Sequence, residues 1–182
     1  IIKALGLSHG KKYDTPAAMA SLRYSSVMFM ADQDYDGFHI VGLLINLFEH
    51  LWPELLRQEG FFFRMRTPIV KAKRGREARE FFKMADYEAW SKSHADERWE
   101  VKYIKGLGTN TSKEGKKFFA DLDHYRIGIE HDPHAHRSLE KAFHKDKADE
   151  RKAWLSGVST EVLEHQDASH TRQTCTHFVN DE

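Results

Sequence analysis

The stretch Val27-Met28-Phe29-Met30-Ala31-Asp32-Gln33-Asp34-Tyr35-Asp36-Gly37 decides how this chain is read. Its first five residues are apolar without interruption and bounded by polar ones. That pattern predicts a central strand of a parallel sheet, covered on both faces. Aspartates then follow at alternate positions. Further on, Ile40, Leu43, Leu44, Leu47, Phe48 and Leu51 recur at helical spacing, which predicts a helix with one broad buried stripe. Strand followed by amphipathic helix is half of a βαβ unit, so the expected class is α/β.

In extended chain, alternate side chains share one side, so Asp32, Asp34 and Asp36 can converge at the C-terminal end of the strand. Open α/β sheets bind ligands at that end. Carboxylates held so close repel one another, and a cation relieves them. Hard oxygen donors suit Mg²⁺, which keeps several waters and pairs with phosphate oxygens. An EF-hand loop opens with the same pattern, but it needs Glu at its twelfth position, where Leu43 stands, and a helix before it. An aspartyl phosphatase, with Asp32 as nucleophile and Asp34 as acid, would carry a small hydroxyl residue in place of Asp36. A solvated acidic turn is the plain alternative.

Working outward, Trp99–Ile104 alternates as a strand should. It leads into Lys105-Gly106-Leu107-Gly108-Thr109, a second strand-to-helix junction. Glycines there let backbone amides approach an anion, and a lysine adds charge, so the turn fits a phosphate beside a metal. Thr111-Ser112-Lys113-Glu114 has the form of a capping box and starts a helix through Phe118, Phe119 and Leu122. Two basic groups could track a phosphate backbone: Arg64, Arg66, Lys71, Lys73, Arg74 and Arg76, and Lys102, Lys105, Lys113, Lys116 and Lys117. Each could equally be a solvated face. His39, one turn beyond the aspartates, could bond phosphate or cap its helix. His131, His134 and His136 flank Pro133 in a polar setting that reads as an exposed loop rather than a zinc site.

The remaining stretches supply the frame. Pro16 can start a short helix over Ala17–Leu22. Phe61–Met65 and Ile69–Ala72 read as extended segments broken at Pro68, and Asp86–Ser93 as a short helix capped by Asp86. Beyond Tyr125 the composition turns polar, which suggests a boundary near 128 and polar helices after it, with a poorly patterned stretch from Ser156 to Glu182.

Composition narrows the class. The 182 residues carry 28 basic and 28 acidic side chains, so any contact with nucleic acid must come from local patches. Apolar residues make up 40%, enough to fill a core. A single cysteine, Cys175, rules out a disulfide framework. No apolar run is long enough for a membrane helix. The start, Ile1-Ile2-Lys3, without initiator Met or signal pattern, reads as the interior of a longer polypeptide.

The segment Met30–Asn46 resembles the metal-binding stretch of type IIA DNA topoisomerases. So do Leu22-Arg23-Tyr24, Arg66-Thr67-Pro68-Ile69-Val70-Lys71 and Val101–Thr109, the last running into Ser112-Lys113-Glu114 as in the eukaryotic branch. The resemblance implies the C-terminal portion of a Toprim domain, a Rossmann-like parallel sheet flanked by helices, over 1–127, and over 128–182 a mostly helical link toward a winged-helix domain. It further implies Mg²⁺, two per site, with Asp32 as shared ligand, Asp34 as second and Asp36 as third acid. Lys105 would be catalytic with Asp32 and Asp34, and Lys105, Gly106, Gly108, Thr109 and His39 would meet DNA. ATP would bind upstream of this chain, and the whole enzyme would be a nuclear homodimer acting on double-stranded DNA. Phe38 stands where the family usually has Ser, and Val41 where it usually has Lys. The family's catalytic Glu, in an upstream acidic motif, and its nucleophilic Tyr lie outside this sequence. Tyr24, in an Arg-Tyr pair, is expected to be a packing residue. A non-catalytic Toprim-like binding module is the alternative implied by the same motifs.

Overall fold

The computed structural model describes residues 1–157 and 171–181. Two short helices, α1 (Ile2–Leu5) and α2 (Pro16–Ala20), precede β1 (Val27–Phe29). Thr15 caps α2, accepting from the Ala18 N–H at 3.2 Å, and Pro16 sits in its first turn, where no amide donor is needed. From β1 the chain enters α3 (Tyr35–Leu51), then α4 (Pro53–Leu56), and returns as β2 (Phe62–Met65), parallel to β1 with Val27 opposite Phe62. This is a βαβ unit.

The hairpin β3 (Val70–Arg74) and β4 (Glu77–Phe81) turns on Gly75, whose φ of 59° lies in the left-handed region that glycine adopts freely. α5 (Met84–Ser93) and β5 (Glu100–Tyr103) follow, then α6 (Ser112–Ala120), α7 (Leu122–Tyr125), β6 (Arg126–Glu130), α8 (Ala135–Phe143) and α9 (Ala148–Ser156). β7 (Arg172–Thr174) and α10 (Cys175–Asp181) end the described chain. Strands β1-β2-β6-β7 form one sheet, with β2 and β6 antiparallel and the outer pairs parallel. Strands β4-β3-β5 form a second, antiparallel sheet.

The α/β class holds, with parallel pairs flanked by helices, but the sheet is mixed. Among the described residues β1 pairs only with β2, so it stands at an edge rather than at the centre. The helix after it is present, yet its buried stripe is turned from the expected one. Val41, Ile45 and Phe48 are buried, whereas Ile40 and Leu43 are about half exposed, at 53% and 45%. α3 is apolar on most of its circumference, so spacing alone does not select the inward face. Lys83, not Asp86, precedes the first turn of α5.

The boundary read near 128 falls inside β6, which lies between β2 and β7. Ile129, Ala135, Leu139, Cys175 and Phe178 share one core with Val41, Ile45, Phe48 and Trp52. The change in composition at that point is therefore a change of surface, not of core. The link read over 128–182 includes two strands of the sheet, and its residues 158–170 lie outside the described ones. Burial of each large apolar side chain in this core is worth about 1.5–3 kcal/mol. Tyr24 is 58% exposed and so is not a packing residue; Tyr13 and Tyr125 are the buried tyrosines among the described residues.

A candidate metal and phosphate site at the end of the first strand

Asp32 leaves β1 and meets a residue far along the sequence. Its Oδ1 accepts a hydrogen bond from the Leu107 N–H at 2.7 Å. A Cβ on Gly106 would lie 2.6 Å from Asp32 Oδ2, so only glycine allows this approach. The aspartate segment and the glycine turn are thus brought together. Gln33 Nε2 donates to the Met65 carbonyl at 2.9 Å and ties the segment to β2.

Asp34 caps α3, its Oδ1 accepting from the Gly37 N–H at 2.8 Å. Gly37 is buried so close to the preceding chain that a Cβ there would sit 2.0 Å from the Asp32 carbonyl oxygen. Asp36 lies exposed in the first turn of α3, where its charge suits the positive helix end. Alternation therefore stops at Asp34, which is extended at φ −139° and ψ 174°. From Tyr35 on the chain is helical, and Asp36 is carried round the axis. The expected convergence of all three carboxylates is not found. Among the described residues no group of three or more His, Cys, Asp or Glu side chains is arranged to hold a metal ion.

Asp32 and Asp34 still fit part of a Mg²⁺ site. This cation takes one or two carboxylates and fills its octahedron with water and substrate phosphate. Asp32 is a hard anionic donor beside a backbone amide and a lysine-bearing turn, and Asp34 follows two residues on at the start of α3, which matches that use.

The turn itself is self-contained. Lys105 is exposed, Leu107–Thr109 forms a single 3-10 turn, and the Thr109 hydroxyl donates to the Gly106 carbonyl at 2.7 Å. Gly108 has no neighbour within 4 Å of a built Cβ, which leaves its outer side open to a ligand backbone. The capping box beyond it forms as expected, Thr111 and Glu114 each bonding the other's backbone amide.

His39 is exposed and stacks on Phe143 of α8 at 5.9 Å between ring centroids. That contact packs the imidazole against α8. Phe38 lies under the Arg64 guanidinium at 5.7 Å, and Val41 is in the core, so both departures from the family pattern add apolar packing.

Several members of the two basic groups are taken up by other contacts within the chain. Arg64 is buried and bonds Gln173 at 2.9 Å, Arg66 covers the Phe82 ring at 4.3 Å, and Arg74 pairs with Glu77 and Glu97. Lys71 and Lys102 face Glu114, and Lys117 bonds Glu80 at 2.8 Å. Lys105, Lys113 and Lys116 remain exposed around the turn. His131 is not in an open loop: its Nε2 lies 3.5 Å from buried Glu49, and His136 lies 3.4 Å from the other Glu49 oxygen.

The Thr111 amide, then Lys71, hold the Glu114 carboxyl far below its usual 4.5, at about 2. A depressed carboxyl contributes stability that is complete above its unfolded value and is lost as pH falls through the folded one. Melting temperature is therefore expected to drop as pH goes from about 4.5 to about 2, with a shallower slope in Glu114→Gln. Circular dichroism melts across that window check it.

Residues 65–182 match the family model for the C-terminal associated domain of TOPRIM. The chain belongs to that family. This Toprim-associated chain is 45% identical over 157 residues, 86% of its length, to a probable DNA topoisomerase 2 of Dictyostelium discoideum. It is 40% identical over 148 residues, 81% of its length, to a putative mitochondrial DNA topoisomerase 2 of Caenorhabditis elegans. It spans 10% and 13% of those two relatives. The crystal structure of the Plasmodium falciparum topoisomerase II DNA-binding, cleavage and re-ligation domain superposes with a TM-score of 0.91 at 37% identity, covering 100% of this chain and 24% of that one. The Toprim-associated chain thus matches eukaryotic-type relatives, as its motifs implied.

Proposed function

We propose that this chain is part of an ATP-dependent type II DNA topoisomerase, which passes one duplex through a transient double-strand break in another. Here it supplies Asp32 and Asp34 as Mg²⁺ ligands and the Lys105–Thr109 turn as a DNA-phosphate contact. The observation that supports this most is the Leu107 N–H on Asp32 Oδ1, with Gly106 against the same carboxylate. It joins an anionic, metal-seeking group to a cationic, phosphate-seeking one.

Bound Mg²⁺ would stabilise charge on the transferring phosphoryl group. The chain's own residues orient and bind. Leu107 fixes the rotamer of Asp32, Asp34 is held by its cap, and Lys105 sets a positive charge where a phosphate can approach. Further donors come from outside this chain: an upstream carboxylate, the attacking tyrosine, and the DNA. ATP binds elsewhere in the same homodimeric enzyme, and the nucleus is the compartment this reading implies. Among the described residues no helix is long and apolar enough to cross a membrane.

The aspartates' failure to cluster in threes favours one second reading, a module that binds DNA without chemistry. Mg²⁺ titration of the isolated chain, followed at the Leu107 amide by NMR, separates the two. Weak saturable binding that Asp32→Asn abolishes is expected, with no relaxation of supercoiled plasmid. Absence of binding favours the non-catalytic module, and robust relaxation by the chain alone would refute the division of labour proposed.

A further inference from the structure

The turn that brings Leu107 to Asp32 is suspended between β5 and α6, and a charge network outside the site holds both arms. On the helix side, Glu114 Oε2 accepts from the Thr111 N–H at 2.8 Å and from the Thr111 hydroxyl at 3.0 Å. Glu114 Oε1 accepts from Lys71 Nζ of β3 at 2.9 Å and faces Lys102 Nζ of β5 at 3.6 Å. Behind this pair, Lys71 lies 3.9 Å from Glu80 of β4. Glu80 accepts from Lys117 of α6 at 2.8 Å and from the Tyr125 hydroxyl at 2.6 Å. Glu114 therefore touches the arm before the turn, the arm after it, and the strand beside them.

Isolated surface ion pairs do little, because solvent screens them and flexible side chains lose entropy in forming them. This one differs. The Lys71 and Glu114 side chains are only 18% and 21% exposed, and each has more than one partner. Glu114 stays ionised well below neutral pH, its carboxyl lying at about 2. Burial alone would raise the Glu80 carboxyl, but hydrogen bonds from Lys117 and Tyr125 outweigh it and hold the group below the usual range.

We propose that Glu114, clamped by Lys71 and Lys102, is a positioning residue: it fixes the spacing of β5 and α6 and thereby keeps the Leu107 N–H on the Asp32 carboxylate. It acts through Leu107 and needs no contact with DNA or metal. The effect on cleavage rests on the function proposed above, whereas the effect on Leu107 does not.

The test uses Lys71→Met and Glu114→Gln, with Lys71→Arg as the conservative control. Glu114→Gln retains an oxygen for the Thr111 amide, so the helix cap survives while the ion pairs are lost. In the 182-residue chain, hydrogen exchange at the Leu107 amide should speed up about tenfold or more, because an amide protected by a local contact exchanges through local opening. Slow amides of α3 should keep their rates, and Lys71→Arg should restore Leu107. In the full-length enzyme, the cleavage rate should fall by a similar factor with little change in DNA affinity. Unchanged exchange at Leu107 in both variants overturns the proposal, as does a uniform rise across α3, which means general loosening. A loosened Leu107 with undiminished cleavage leaves the positioning intact and counts against the proposed function.

Discussion

Gly106→Ala should leave this chain folded and remove most of the DNA-cleavage activity of a full-length enzyme that carries it. The residue is extended at φ 167° and ψ 171°, a conformation open to any amino acid, so the backbone does not object. The side chain does. A Cβ would sit 2.6 Å from Asp32 Oδ2 and 2.8 Å from its carboxyl carbon. A carboxylate at the end of a rotatable bond can swing away, so the cost in stability should stay within about 1 kcal/mol. The displaced carboxylate loses the Leu107 N–H and its aim. Misplacing a catalytic group by about 1 Å costs roughly a hundredfold in rate. Thermal melts and single-turnover cleavage on the same variant separate the two effects: near-normal melting with about a hundredfold slower cleavage is expected.

Gly37→Ala should do the opposite and damage the fold first. Its Cβ would meet the Asp32 carbonyl oxygen at 2.0 Å and the Asp32 carbonyl carbon at 2.9 Å. Both are backbone atoms, which no rotamer change can move. Relief requires the start of α3 to shift away from the segment leaving β1, and that also breaks the Asp34 cap. Overpacking against backbone plus loss of a cap costs on the order of 3 kcal/mol. For a chain of this size that corresponds to a drop of roughly 10 °C in melting temperature. Calorimetry reads it directly, and a melting point within 2 °C or so of the unsubstituted chain would contradict the close approach of Gly37 to Asp32.

These two glycines show what the sequence carried and what it did not. Local signals were legible: the apolar run that becomes β1, the helix after it, the alternation of β5, and the Thr111–Glu114 capping box all follow from neighbours within a few residues. The junction of the aspartate segment with the glycine turn was expected from chemistry alone, since the pattern contains nothing that measures distance across 75 positions. β4 escaped notice because Glu77-Ala78-Arg79-Glu80 is an exposed, charged edge without alternation. The basic groups looked like phosphate tracks because sequence does not show that Glu80, Glu97 and Glu114 fold back onto them. The convergence of three aspartates failed for a local reason: extended geometry ends at Asp34, one residue before the helix begins.

That last difference sharpens the division of roles. Asp32 faces the turn, Asp34 caps the helix, and Asp36 stands apart on the first helical turn. A metal held here would draw on the first two and on groups brought by the rest of the enzyme and by DNA. Nothing in such a division requires Asp36 to touch the ion.

Double-strand cleavage of plasmid DNA by the full-length enzyme, unsubstituted and with Asp32→Asn, bears most directly on the role given to this residue. Asparagine keeps the size and can still accept from Leu107, but it lacks the charge that Mg²⁺ requires. Near-complete loss of cleavage with DNA binding retained is the predicted result; breaks forming at the unsubstituted rate would contradict it.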